Sequence, residues 1–254
     1  MFSLLRCTPL VNWYSFFPDR AYTIHPDDLP ENVHHLFIKS SGRVTIEVFH
    51  LPCSASKRIL IYFHGNGGNI AQRLPDLIRL HKNGIAVFGV GYRGYGRSSG
   101  RPSEKGIYRD GEAALQYVRD SLGYREEDIF LLGRSIGSTV AINTARKRSL
   151  AGIILITPLS SGNDHARAHG LGWLTFLSGN CFDNIGKVPK MVAPVLVIHG
   201  TKDEVVPYRL GKKLYDVLPV KKRMVTIRGG DHNNLEYVDP YLFWMSIDRF
   251  LIGG

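Results

Sequence analysis

Apolar runs bounded by polar or glycine-rich residues recur along the whole chain and predict β-strands. Two runs, 33–39 and 43–50, flank Ser40-Ser41-Gly42 and predict a hairpin. The later runs are almost continuously apolar, which is typical of strands that are covered on both faces. These later runs are 58–63, 85–91, 128–132, 152–156, 194–198 and 223–227.

Segments with apolar residues at helical spacing lie between these runs. They are 70–82, 104–122, 136–147, 207–218 and 237–251. Strands that alternate with helices predict a mostly parallel, doubly wound sheet, because the helix of each crossover covers one of its faces. We therefore expect an α/β fold with an eight-stranded sheet, helices on both faces, and the opening hairpin as its antiparallel edge.

One connection, 157–193, is longer than the others and carries a patch of apolar residues. The patch consists of Leu171, Trp173, Leu174, Phe176 and Leu177. It predicts either a short lid over a site near the strand ends or a helix packed on the core. We expect one domain over residues 21–254, preceded by an apolar segment over residues 1–20.

The chain has 254 residues and a formal net charge of +10. No basic stretch is interleaved with aromatic residues, which argues against a nucleic-acid partner. The basic surface favours either plain solvation or attraction to an anionic membrane or an acidic substrate. Segment 1–20 is interrupted by Arg6, Pro9 and Pro18, and it is both too short and too interrupted to span a bilayer. It either lies on a membrane or packs on the domain, which favours a cytoplasmic or peripheral-membrane location.

The three cysteines, Cys7, Cys53 and Cys181, share no metal-ligand spacing. We therefore expect neither a metal site nor a disulfide framework, and we interpret the cysteines as buried free thiols. A single Cys7–Cys53 or Cys53–Cys181 bond stays open as the alternative.

Two segments fit the pattern G-x-S-x-G, namely GRSSG at 96–100 and GRSIG at 133–137. Ser98 follows YRGY and precedes a polar stretch with a proline, which indicates a glycine-rich loop. Ser135 directly follows the run 128–132 and precedes a helical segment, the strand–turn–helix context of a nucleophilic serine. Glycines at 133 and 137 would let the two backbones approach where a Cβ would clash. Ser135 is therefore the candidate nucleophile.

A serine nucleophile needs a base, and the base needs a carboxylate to orient it. His232 follows the last strand-like run, so it is the candidate base, whereas His199 is expected to pack at a strand end and His165 is a minor candidate. Asp203 follows the preceding run and is the candidate carboxylate. Asp231 ranks second, because adjacent residues rarely aim their side chains at each other.

Acyl transfer also needs N–H donors for the developing oxyanion. The amide of Ile136, next to the candidate nucleophile, is one expected donor. The loop HGNGGN at 64–69 follows a strand-like run and offers the second, for which we choose the amide of Asn66, with Gly65 or Gly67 as alternatives. This loop lacks the Lys-Ser/Thr of a P-loop and the spacing of a dinucleotide site.

The blocks HGNGGN, YRGYGRSSG, LLGRSIGS, HGTKDEVVP and GGDHNN occur in this order. Together they resemble the α/β-hydrolase superfamily of serine hydrolases and, more narrowly, the Bem46-like group that includes the ABHD13- and ABHD17-type hydrolases. The resemblance covers residues 14–252. It implies the α/β-hydrolase fold, a triad of Ser135, Asp203 and His232, and no cofactor. It also implies hydrolysis of esters or thioesters, and some relatives remove palmitoyl groups from cysteine.

We therefore expect a serine hydrolase that cleaves carboxylic esters or thioesters with an apolar acyl group. Its expected partner is a small-molecule or lipid-like acyl substrate or an acylated protein. Two alternatives stay open, a non-catalytic binding protein on a hydrolase scaffold and a peptidase.

Overall fold

A central eight-stranded sheet organises the computed structural model, which describes residues 15–22, 28–175 and 180–253. Its strands are β1 (His34–Lys39), β2 (Thr45–Leu51), β3 (Ile59–Phe63), β4 (Ala86–Val90), β5 (Ile129–Arg134), β6 (Gly152–Ile156), β7 (Val195–Gly200) and β8 (Lys222–Ile227). Each strand overlaps one of the apolar runs, so the eight predicted strands are confirmed.

The spatial order of the strands is β8-β7-β6-β5-β3-β4-β2-β1. The pairs β1–β2 and β2–β4 are antiparallel, and every other neighbouring pair is parallel. The predicted antiparallel edge hairpin and mostly parallel sheet are therefore confirmed. The parallel order places the loops after β3, β5, β7 and β8 at one edge of the sheet, where ligands bind in such folds.

Seven α-helices connect or follow the strands in the described part of the chain. They are α1 (Leu74–His81), α2 (Glu104–Asp120), α3 (Ile136–Ala145), α4 (Gly162–Ala168), α5 (Tyr208–Asp216), α6 (Leu235–Val238) and α7 (Pro240–Gly253). The predicted terminal helix is thus divided into α6 and α7. The division falls before Pro240, which has no backbone N–H to continue the hydrogen bonds of α6.

Each face of the sheet carries its own apolar cluster. On one face, α2, α3 and α5 pack on the strands through residues such as Ala114, Val140 and Leu214. On the other face, α1 and α7 pack through residues such as Leu77 and Ile247. Burial on both faces explains why the strands are almost continuously apolar in sequence.

Residues 15–22, here called the N-terminal strap, lie against the loop after β3. Phe17–Pro18 pairs in parallel with Gly67–Gly68, and the buried ring of Phe16 lies 6.1 Å from that of Phe182. Residues 1–14 lie outside the described residues. Membrane contact by segment 1–20 and the domain boundary after residue 20 therefore stay predictions. No helix within the described ranges is long and apolar enough to cross a membrane.

The long connection 157–193 contains α4 and two short 3-10 helices, Gly172–Leu174 and Val188–Lys190. The side chains of Leu171 and Trp173 are 47% and 68% exposed, so these two residues do not pack in the core. Phe176 and Leu177 lie outside the described residues, and a lid function of this connection stays a prediction.

The cysteines differ in state. Cys53 is only half-buried but free, as expected, so both alternative bonds, which involve Cys53, are wrong. Cys181 is disulfide-bonded, so the free-thiol interpretation is wrong for this residue. Spacing along the chain could not predict this bond, because a disulfide depends on which backbone segments the tertiary structure brings within reach.

Candidate active site

Ser135 lies on a sharp turn between β5 and α3. Its backbone has φ 54° and ψ −120°, a conformation that is strained for a non-glycine residue. A Cβ at Gly133 would lie 2.4 Å from the carbonyl oxygen of Gly137, and a Cβ at Gly137 would lie 2.2 Å from that of Phe63. The close approach predicted for the two glycines is therefore confirmed, and the turn holds the Ser135 side chain away from both elements.

The side chains of Ser135, His232 and Asp203 are hydrogen-bonded in series. The Nε2 atom of His232 lies 3.0 Å from the Oγ of Ser135, and its Nδ1 lies 2.8 Å from the Oδ2 of Asp203. Because an ionised carboxylate can only accept, Nδ1 carries the hydrogen and Nε2 faces the hydroxyl as an acceptor. His232 and Asp203 are 6% and 5% exposed, so this pair is shielded from water, whereas Ser135 is only partly buried.

The carboxylate of Asp203 is held on both oxygens. Its Oδ1 accepts from the amides of Val205 and Val206 at 3.0 and 2.7 Å. Burial by itself raises the pKa of Asp203, but the contacts from His199 and His232 outweigh burial and hold the pKa well below its usual range. Asp203 is therefore ionised at neutral pH and can orient an imidazole.

The alternative carboxylate, Asp231, and the alternative base, His165, do not take part in the hydrogen bonds between Ser135, His232 and Asp203. Asp231 is exposed, and its carboxylate accepts from the backbone amide of His232 rather than from the ring. The ring of His165 is 4.7 Å from that of His169. Burial, together with the nearby His169 and His232, lowers the pKa of His165 to about 4, so this residue is neutral at pH 7.

The loop after β3 lies beside Ser135, because a Cβ at Gly65 would be 3.7 Å from the Cβ of Ser135. The side-chain Oδ1 of Asn66 accepts from the hydroxyl of Tyr95 at 2.7 Å and from the amide of Phe17 at 3.2 Å. Residue 66 is thus fixed through its side chain by two separate elements. The Asn66 backbone amide, one residue after Gly65, stays the candidate donor, with the amides of Gly65 and Gly67 as the alternatives.

Ile136 is the first residue of α3, where amide N–H groups have no acceptor within the helix. The helix N-terminus also carries a partial positive charge, which favours an anion in front of it. The two candidate oxyanion donors, the amides of Ile136 and Asn66, are thus carried by segments on either side of Ser135.

Ser98 has a structural position. It is 2% exposed, and its hydroxyl accepts from the amide of Glu47 at 2.9 Å. The same loop is tied down by a buried ion pair between Arg93 and Asp110 at 2.7 Å. Ser98 therefore anchors the YRGYGRSSG loop to β2, as its glycine-rich context indicated.

Three contributors to the site were missed in the sequence. Tyr95 and the N-terminal strap hold Asn66, and no local pattern points to either of them. His199 was expected to pack at the end of β7, and its ring is indeed buried there, but its Nε2 also lies 3.2 Å from the Oδ2 of Asp203. The four-residue separation in HGTKD was the available signal for that contact.

No group of three or more His, Cys, Asp or Glu side chains within residues 15–22, 28–175 and 180–253 is arranged to hold a metal ion. The polar side chains that converge at this edge of the sheet are those of Ser135, His232, Asp203, His199 and His165.

Comparison with known proteins places the chain among hydrolases. A family model described as serine aminopeptidase, S33, matches residues 54–187. The chain is 36% identical over 193 residues to alpha/beta hydrolase domain-containing protein aho-3 of Caenorhabditis elegans, covering 75% of this chain and 57% of that protein. It is 31% identical over 232 residues to human alpha/beta hydrolase domain-containing protein 17B, covering 91% of this chain and 80% of that protein.

Among solved structures, an esterase from Pyrococcus furiosus, Pf2001, superposes with a TM-score of 0.77 at 19% identity, over 93% of this chain and 96% of that one. At this identity the likeness concerns the fold. The match to aho-3 covers 57% of that relative's length, so the alignment spans little more than half of it. From the family model and the 31–36% identical relatives, the chain belongs to the α/β-hydrolase superfamily, in the group of the ABHD17-type proteins.

Proposed function

We propose that this protein is a serine hydrolase that cleaves carboxylic esters or thioesters through an acyl-enzyme on Ser135. The observation that carries the proposal is the hydroxyl of Ser135, held on a strained turn 3.0 Å from the Nε2 of His232. The other ring nitrogen of His232 donates to Asp203, which is the arrangement that a weak oxygen nucleophile needs.

In the acylation step, Oγ of Ser135 attacks the carbonyl carbon of the substrate while Nε2 of His232 accepts the hydroxyl proton. Asp203 stabilises the resulting imidazolium without taking the proton itself. The carbonyl oxygen gains the negative charge and accepts from the amides of Ile136 and Asn66. One such donor contributes about a hundredfold to a thousandfold to the rate.

When the tetrahedral intermediate collapses, its bond to the leaving oxygen or sulfur breaks, and His232 returns the proton to that atom. In deacylation, His232 takes a proton from water, whose oxygen attacks the acyl carbon. The acid then leaves and Ser135 regains its proton. This cycle consumes one water per ester or thioester and needs no cofactor.

We propose that the acyl part of the substrate is apolar. Leu171 and Trp173, in the connection 157–193, expose 47% and 68% of their surface and offer apolar contact area. The fold is shared with esterases. We infer a lipid-like or small acyl substrate, with an acylated protein as a further candidate and peripheral membrane contact as a compatible setting.

The first test is labelling with a fluorophosphonate probe, read by intact mass and peptide mapping. We expect a single adduct on Ser135 of the wild type and none in Ser135→Ala, because only an activated serine attacks the probe at a useful rate. Ser98→Ala is the matched control, since Ser98 fits the same short pattern, and it should still carry the single adduct on Ser135.

An adduct that persists in Ser135→Ala would overturn the assignment of the nucleophile. A folded wild type that takes no adduct would favour the binding-protein alternative. Once labelling succeeds, turnover of esters and thioesters of graded chain length, alongside aminoacyl anilides, separates an acyl hydrolase from a peptidase. Turnover of the anilides alone would contradict the ester and thioester proposal.

A further inference from the structure

His199 is a second imidazole on the carboxylate that orients His232. It is the penultimate residue of β7, and its side chain is fully buried. Its Nε2 lies 2.8 Å from the carbonyl oxygen of Val206 and 3.2 Å from the Oδ2 of Asp203. Both neighbours only accept, so Nε2 carries the hydrogen; it donates to the carbonyl of Val206 and lies beside the carboxylate of Asp203.

The other nitrogen of His199 has no hydrogen-bond partner among the residues that the structure describes. Its Nδ1 is buried, and it faces Gly211 so closely that a Cβ there would lie 2.1 Å away. An unpaired buried acceptor costs about 1–3 kcal/mol, which an apolar side chain of similar size would avoid. The imidazole at this position is therefore better explained by what its Nε2–H does than by packing.

His199 contacts the same oxygen of Asp203, Oδ2, that accepts the hydrogen bond from His232. Oδ2 of Asp203 receives the Nδ1–H of His232 at 2.8 Å and lies beside the Nε2–H of His199, while Oδ1 is held by two amides. Val206 closes the cluster, because its carbonyl accepts from His199 and its amide donates to Asp203. The rotamer of the carboxylate is thus set from both sides.

We propose that His199 is a positioning residue of the reaction, whose Nε2–H fixes the orientation of Asp203 and moderates the basicity of its Oδ2. This inference rests on the proposed role of Ser135, His232 and Asp203. Without the N–H dipole of His199, Oδ2 would bind the imidazolium form of His232 more strongly. That form would then persist to higher pH and fewer enzyme molecules would hold a free base.

Other titratable or charged groups also surround this cluster and would respond to pH. His165 reaches it electrostatically from α4, Tyr208 of α5 packs on the His199 ring at 5.6 Å, and Arg134 contacts the carbonyl of His232 at 3.4 Å. None of them lies between His199 and Asp203. A change confined to His199 therefore reports on this contact.

The test compares His199→Asn with His199→Gln. The amide nitrogen of Gln extends about as far as Nε2 of histidine, whereas that of Asn stops near the position of Nδ1 and cannot reach Asp203. The readout is the pH dependence of the rate at which a fluorophosphonate labels Ser135. We expect the acid limb of His199→Asn to move up by about half a pH unit and its plateau rate to fall about tenfold. His199→Gln should stay close to the wild type.

A second readout needs no substitution. Phosphonylation of Ser135 changes the proton sharing between His232 and Asp203, so the Nε2–H resonance of His199 in the wild type should shift when the adduct forms. The inference would be overturned if folded His199→Asn kept the acid limb of the wild-type labelling profile. It would also be overturned if the Nε2–H resonance of His199 did not shift when the adduct forms. A wild type that does not label at all would instead overturn the proposed function.

Discussion

At the scale of single residues, Ser135 keeps a backbone conformation that costs about 1–3 kcal/mol and persists only where its surroundings impose it. Those surroundings are the two glycines of the turn. Gly137 approaches the end of β3, where a Cβ would lie 2.2 Å from the carbonyl oxygen of Phe63 and 2.6 Å from that of His64. The turn and the loop that carries Asn66 therefore rest directly on each other.

Gly137→Ala should distort both the turn at Ser135 and the loop that carries Asn66. The added methyl must displace the backbone of β3 or of α3, which we expect to cost about 1–3 kcal/mol of stability and to lower Ser135 labelling at least a hundredfold. Urea unfolding and labelling kinetics on the same samples measure the two effects. Gly253→Ala is the control, since a Cβ there meets nothing within 4 Å. Near-normal labelling in Gly137→Ala would show that the turn tolerates a Cβ.

At the scale of elements, the loop after β3 is braced by two separate parts of the chain, the N-terminal strap and the loop after β4. The strap pairs with Gly67–Gly68, and the Oδ2 of Asp19 accepts from Gln72 at 3.0 Å. Tyr95, in the loop after β4, donates to the Asn66 side chain at 2.7 Å. A loop of small residues has little rigidity of its own, so these contacts hold the Asn66 amide in place.

Tyr95→Phe should lower the acylation rate about tenfold with little change in KM, because the missing hydroxyl frees the loop without removing a contact to substrate. Stopped-flow measurement of the acyl-enzyme burst with a p-nitrophenyl ester tests this. Tyr241→Phe is the matched control, since Tyr241 is 74% exposed on α7. An equal burst rate in wild type and Tyr95→Phe would mean that the strap alone positions Asn66.

At the scale of the whole molecule, the buried His50 and His64 and the half-buried His165 make stability depend on pH. Burial lowers the pKa of His50 and of His165 to about 4, and that of His64 to about 3. In the unfolded chain histidine titrates near pH 6.5, as a reference value. Between pH 6.5 and about 4 the unfolded chain therefore binds protons that the native protein does not, so stability falls as the pH falls.

We expect the free energy of unfolding to be clearly smaller at pH 5 than at pH 7.5, and fully buried His64 alone should contribute about 2 kcal/mol to the difference. Urea unfolding at the two pH values measures it. His50→Gln should remove part of the loss, because His50 is buried and its pKa is lowered to about 4. Asp203, whose pKa is lowered, loses its contribution only at more acidic pH. Equal stability at pH 5 and 7.5 would contradict this account.

The sequence by itself determined the sheet, the crossover helices and the places of Ser135, Asp203 and His232. These follow from local rules. Strands covered on both faces must be apolar throughout, as in β5 and β6, and a sharp strand–helix turn must have glycines where Gly133 and Gly137 stand. In a parallel sheet the loops after successive strands share one edge, so loop position along the chain predicts which side chains meet.

Only the tertiary structure decided how those side chains are held. The contact of His199 with Asp203, the brace of Tyr95 on Asn66 and the disulfide of Cys181 depend on side-chain rotamers and on distances between segments far apart in sequence. Periodicity and spacing carry no information about either. The candidate catalytic residues could therefore be found by their position in a repeating α/β pattern, whereas the residues that contact and hold them could be found only in the tertiary structure.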